Sequence, residues 1–166
     1  MSQRILIACV GNIFLGDDAF GVEVARVLAA HDFPKGVRVE DFGIRAFDLA
    51  YALLGPWDAV ILVDAVPRGD VPGTLYTIEP DLGSIADAQT EDAPLDGHSM
   101  DPVKVVQLAQ TMGSIPARLL IVGCEPADCG GEEGRMGLSE PVQNSVAAAA
   151  DMVEELVGQI AGAKTG

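Results

Sequence analysis

The chain has 166 residues, 49% of them apolar and 21% charged, the make-up of one globular domain that buries roughly 70% of its unfolded surface, not of a disordered segment. Lys and Arg number 10 against 25 Asp and Glu, a formal net charge of −15. That speaks against nucleic acid or an anionic membrane as partner, because phosphates demand a basic surface, and it admits a metal ion or a basic peptide. The longest apolar runs, such as Ile5–Val10 and Ala59–Val63, fall well short of the roughly 18 residues of a membrane span. The start, Met1-Ser2-Gln3-Arg4, leads directly into a strand-like run without a signal-peptide pattern. Three cysteines, Cys9, Cys124 and Cys129, lack framework spacing and fit reduced thiols, so a cytoplasmic location is expected. No dimer surface stands out, and a monomer is the expectation.

In chain order, Ile5–Val10 reads as a buried parallel strand. Gly11-Asn12 ends it, and a loop leads to Gly16-Asp17-Asp18. Phe20, Val24, Val27 and Leu28 recur at helical spacing over about Ala19–Ala30, with Asp17 or Asp18 as its cap. Val37–Phe42 is a second strand, and Ala46–Leu54 a helix stopped by Gly55-Pro56. Ala59–Ala65 is a third strand and Gly73–Ile78 a half-exposed fourth. The link Pro67–Pro72 is too short for a helical crossover, which makes the fourth strand antiparallel. Residues 80–98 read as a long loop. Pro102–Met112 is a helix with Ser99 or Asp101 at its start, Arg118–Val122 a fifth strand, and residues 125–137 a second long loop. Ser139-Glu140-Pro141 opens a last helix running to about Ile160, and 161–166 should fray. The expected fold is a single α/β domain over 1–166: a three-layer sandwich, with a mostly parallel five-stranded sheet, one antiparallel strand and helices on both faces.

Ligands of such sheets bind beyond the carboxyl ends of the strands, where strand order reverses. There the chain places Asp17 and Asp18 after the first strand, Asp41 after the second and Asp64 at the end of the third, with His98 in the loop before the third helix. Each has a bland reading: a helix cap for Asp17 or Asp18, turn formers for Asp41 and Asp64, a solvated imidazole for His98. Acidic groups converging on one sheet edge repel, and a bound cation is the simplest offset. Carboxylates with one imidazole suit nickel or zinc, and a three-ligand set leaves coordination positions open. His31, at the end of the first helix, reads as structural. Gly11, Gly16 and Gly21 do not make a dinucleotide fingerprint, and Gly-Lys-Ser/Thr is absent. A phosphoacceptor receiver domain would want a lysine at the end of the fifth strand, where Gly123-Cys124-Glu125-Pro126 stands.

The segment from Gly11 to Gly21, Gly-Asn-Ile-Phe-Leu-Gly-Asp-Asp-Ala-Phe-Gly, resembles the opening motif of the hydrogenase maturation proteases. Asp41-Phe42-Gly43, Asp64 closing its strand, His98 before a helix, Gly123-Cys124-Glu125-Pro126 and Gly137-Leu138-Ser139-Glu140-Pro141-Val142 are similar to that family's further elements. The chain departs from the pattern at Asp18, often Glu in the family, and at Phe42, usually Gly. The resemblance implies an endopeptidase that removes the C-terminal extension of a [NiFe]-hydrogenase large-subunit precursor after nickel insertion. Asp18, Asp64 and His98 would contact the metal, and Asp41 would support substrate or geometry. The resemblance implies that the nickel is carried by the precursor, with none bound in the isolated protein. No Ser/His or Cys/His pair stands out, so a covalent acyl-enzyme is not expected; Cys124 and Cys129 read as a buried small residue and a loop thiol. The acidic loops 84–98 and 125–137 are the expected docking surfaces. The alternative within the same resemblance is a metal-sensing chaperone or docking module that does not cut. A small-molecule phosphate-binding domain is the third class.

Overall fold

The computed structural model describes residues 3–87, 101–129 and 136–162. Strands β1 (Ile5–Val10), β2 (Val37–Gly43), β3 (Ala59–Ala65), β4 (Leu75–Ile78) and β5 (Arg118–Cys124) form one sheet in the order β2-β1-β3-β5-β4. All neighbours are parallel except β4, which runs antiparallel to β5. The three-layer expectation and its single antiparallel strand are both borne out.

Both layers follow from strand alternation, since successive side chains point to opposite faces. Ile5, Ile7 and Cys9 of β1, Ile61 and Val63 of β3, and Leu120 and Val122 of β5 pack with α1 (Phe20–Leu28) and α6 (Val146–Gly162). Leu6, Ala8 and Val10, Val60 and Leu62, and Leu119 and Ile121 pack with α2 (Ala46–Leu53) and α4 (Pro102–Met112). Strands buried on both faces have no polar side to alternate with, which is why β1 and β3 read as unbroken apolar runs. Among the described residues, no helix is long and apolar enough to cross a membrane.

Three local expectations are corrected. Residues 80–98 were expected to be loop, but α3 (Leu82–Asp87) lies within them. Asp81 starts it by accepting from Gly83 N (2.9 Å) and Ser84 Oγ (3.1 Å), and the amides of Gln107 and Gln110 on α4 donate to Ile85 O and Leu82 O. A six-residue helix held by a neighbouring helix leaves little periodic signal. The single helix expected from Ser139 is two: α5 (Glu140–Gln143), then a turn at Asn144-Ser145, then α6. Ser145 Oγ donates to Gly73 O (2.6 Å) and Pro141 O (3.1 Å), anchoring that turn to the segment before β4. Asp17 and Asp18 do not cap α1. They lie in a 3-10 turn, Gly16–Ala19, and the cap position is Ala19 with no side-chain bond. Asp101 does cap α4, accepting from Val103 N at 3.0 Å, with Pro102 in the first turn. α6 continues through Gly162, while residues 163–166 lie outside the described residues.

The helix start after β1 is pressed onto the sheet edge. A Cβ added at Gly21 would stand 2.1 Å from Val10 O and 2.5 Å from Val63 O, and one at Gly11 would stand 2.0 Å from Asp18 O. These obstacles are backbone atoms and cannot rotate away. Gly21→Ala is therefore expected to destabilise by about 3 kcal/mol, the upper range for overpacking. Thermal denaturation should show this as a Tm lower by roughly 6–12 °C; an unchanged Tm would show that the turn can shift freely.

Candidate active site

The strand order reverses between β1 and β3, whose crossovers lead to opposite sides of the sheet, and the carboxylates of interest gather there. Asp18 follows β1 in the 3-10 turn and is 7% exposed; Asp64 ends β3 and is fully buried. Asp18 Oδ2 accepts from Asn12 N at 3.0 Å, and Asn12 Oδ1 accepts from Phe14 N, so the loop after β1 folds around the carboxylate. Asp64 Oδ1 accepts from Ala65 N at 2.8 Å, and Oδ2 has no hydrogen-bond partner among the described residues.

Burial raises the pKa of Asp64 well above the ordinary carboxylate value, and the neighbouring charges of Asp18 and Asp101 push it further up; the Ala65 amide opposes the shift. Asp18 is raised as well, chiefly by burial, against the Asn12 N–H. An orphaned carboxylate oxygen with a second carboxylate acting on it is costly unless something cationic meets it. Hard oxygen donors with no thiolate or full imidazole set suit a partial grip on a divalent ion. Among the described residues, no group of three His, Cys, Asp or Glu side chains is placed to hold a metal by itself.

Of the expected site residues, the structure brings Asp18 and Asp64 together. Asp41 caps the end of its own strand: Oδ1 accepts from Gly43 N (2.8 Å), and its carbonyl accepts from Arg45 Nη2 (2.8 Å). It borders a separate depression with His31, Val37 and Val39. His98 lies outside the described residues, as do most of the loop 84–98 and residues 130–135 of the second expected docking loop.

Asp17 and Glu125 hold the frame; the sequence reading placed Asp17 only among the acidic groups at the sheet edge or as a helix cap, and gave Glu125 no role. Asp17, fully buried, accepts from four donors: Ala127 N (2.7 Å), Asp128 N (2.9 Å) and Ser139 Oγ (2.8 Å) on Oδ2, and Ser139 N (2.7 Å) on Oδ1. Its own N–H donates to Asp128 O at 2.7 Å. Ser139 precedes α5 as expected, but its hydroxyl serves Asp17 instead of capping the helix. Glu125, 3% exposed, accepts from the backbone N–H groups of Arg68 and Asp70, fixing the link between β3 and β4 to the end of β5. A lone acidic residue in a loop has no periodic signature, so only the Gly-x-Glu-Pro spacing pointed to Glu125.

Beside Asp18 opens a cavity of about 570 Å³, bordered also by Leu15, Pro67, Pro126 and Cys129 and running under α3 and α4. The cysteines are free, Cys9 and Cys124 buried and Cys129 exposed. Cys124 is pushed up to about 11, first by burial and then by the Asp17 charge; Cys129, although its surface is exposed, is pushed up as well by partial desolvation and by the charges of Asp18, Asp17, Asp128 and Asp64. Both are thiols at neutral pH and poor nucleophiles. What the arrangement offers chemically is carboxylate oxygen: a base, a charge, a partial metal grip.

The profile described as hydrogenase maturation protease (HycI) matches residues 22–156. The chain is 33% identical over 128 residues to the hydrogenase expression/formation protein HupD of Rhodobacter capsulatus, a match spanning 76% of this chain and 59% of that one. It is 30% identical over 170 residues to the hydrogenase expression/formation protein HoxM of Azotobacter vinelandii, spanning 99% and 79%. The fold superposes on the hydrogenase maturating endopeptidase HybD from E. coli with a TM-score of 0.75, at 26% identity, covering 95% of this chain and 93% of that one. With the buried carboxylate pair at the strand-order reversal, these likenesses place the chain in the hydrogenase maturation protease family.

Proposed function

We propose that this protein is the endopeptidase that trims the C-terminal extension from a [NiFe]-hydrogenase large-subunit precursor, acting as a cytoplasmic monomer on a precursor that already carries nickel. The observation that carries the reading is the buried, unpartnered Asp64 Oδ2 beside Asp18 at the sheet's carboxyl edge. Two carboxylates alone bind a divalent ion weakly, and His98 is proposed as the third contact. A ligand set left open on one side favours an ion that arrives with its own ligands over a free ion it would trap. The precursor's nickel supplies a positioning template and a Lewis acid for the scissile carbonyl.

The chain's own residues do the rest. Asp18 and Asp64 fix the approach of the substrate, and one of the two takes the proton of the attacking water, a role that needs no covalent intermediate. Asp17 and Glu125 hold the loops that flank the cavity beside Asp18. Asp41, which borders a separate depression, is proposed to act only by holding the turn at the end of β2.

The test follows the mass of the nickel-loaded precursor incubated with the wild type, Asp18→Ala, Asp64→Ala and His98→Ala. Loss of the extension with the wild type, slowed at least a hundredfold in each variant, is expected, as for removal of a general base. Full processing by all three variants would end the site assignment. An unchanged precursor mass with a stable complex would favour the docking module.

A further inference from the structure

The cavity beside Asp18 runs between the sheet and the helices α3 and α4, walled by Ile78, Ile85, Val103, Val106, Leu119 and Ile121. Among the described residues, Asp18 and Asp101 are the charged ones on its border. At about 570 Å³ it falls in the range of peptide and small-ligand sites. We propose that it is the subsite for an extended apolar stretch of the precursor's C-terminal extension, a deepening that rests on the processing reading above.

Three features select that occupant. The space is a partly open recess overhung by α3 and α4, narrow enough to favour an extended chain over a folded surface. The walls are aliphatic, so a charged side chain entering them loses hydration without gaining a partner. The two carboxylates on the border repel acidic groups, which disfavours an acidic stretch and a terminal carboxylate near Asp18. Because Asp18 belongs to both the cavity and the carboxylate pair, a segment seated in the cavity carries the adjoining peptide bond to the carboxylates. Binding away from the reacting bond is then used to orient it.

The direct test titrates the methyl-labelled full chain with two amide-capped peptides, one with Leu-Val-Leu at its centre and one with Leu-Asp-Leu. The first peptide should shift the methyl signals of Ile78, Ile85, Val103 and Val106. Binding should be at least tenfold weaker for the second peptide and for Val103→Asp, a loss matching one buried apolar side chain. Val103 is 36% exposed and tolerates substitution; Val103→Trp, which narrows the cavity without a charge, should also weaken binding. Equal binding of the two peptides, no shifts, or shifts confined to the α1–α6 face would overturn the proposal. Processing is scored separately on the nickel-loaded precursor. Val103→Asp should raise KM with little change in kcat, the signature of lost substrate binding. Wild-type processing kinetics in that variant would sink the subsite while leaving the protease reading intact. An uncut precursor together with peptide-induced shifts would sink the protease reading while leaving the apolar site in place.

Discussion

Asp64→Asn is expected to abolish processing and, at neutral pH, to make the protein more stable. The carboxylate is fully buried, one oxygen lacks a hydrogen-bond partner among the described residues, and Asp18 and Asp101 add repulsion. Its native pKa is raised above the ordinary 3.8, so between that value and the raised one the native state binds more protons than the unfolded state. Stability of the wild type therefore falls as pH rises through this window, by the linkage relation. The neutral amide removes that slope. The variant and wild type should have similar stability below about pH 4 as far as this group is concerned, and diverge above it. A gain on the order of 1–3 kcal/mol near neutrality is the scale for relieving a poorly solvated buried group, or roughly 2–12 °C in Tm. Urea denaturation across pH 4–8 checks it. A variant less stable than the wild type at every pH would mean that Asp64 is satisfied in the native state. Stability given up at the position where function needs a charge is a familiar trade.

Asp17→Ala is expected to have the opposite signature: loss of both stability and processing. Its carboxylate meets three backbone N–H groups and one hydroxyl. Removing it leaves those N–H groups unpaired, at about 1–3 kcal/mol each if water cannot reach them. With partial relaxation, a total of about 3–5 kcal/mol is expected, among the largest for a single substitution. Asp17→Asn should fall between Ala and the wild type, because its amide oxygen can take the Oδ2 place with three donors while its N–H₂ would face only the Ser139 N–H. Ser139→Ala removes only the hydroxyl bond and should cost about 1 kcal/mol. Chemical denaturation of the three variants checks the ranking. Because Pro126 and Cys129 border the cavity next to Asp18, Asp17→Ala should also slow processing at least tenfold at temperatures where it remains folded. Wild-type processing at such a temperature would show that the loop 125–129 does not help to shape the site.

The contrast between adjacent aspartates shows where sequence reading reaches its end. Asp17 and Asp18 have the same chemistry, and either is an acceptable helix cap by residue type. The fold gives Asp17 four donors and no exposure, while Asp18 keeps a face on a cavity. Asp101 was read only as a cap for its helix. The structure confirms the cap and adds its charge to the field on Asp64. Asp41 lies at a strand end like Asp64, but its side chain closes a turn with Gly43.

The number and type of the strands, the antiparallel β4, the two-faced burial of β1 and β3 and the placement of carboxylates at strand ends were all present in the sequence. They depend on side-chain periodicity, on turn residues and on the length of the link between Ala65 and Leu75, which are local quantities. The tertiary structure alone decided which aspartate is locked and which is open, the break between α5 and α6, the existence of α3 and the cavity beneath it. Those features rest on partners far apart in the chain: Asp17 meets residues 110 to 122 positions away, and Ser145 meets Gly73 across 72. No local pattern encodes such pairings, because they are settled only when the sheet and its two helical layers close.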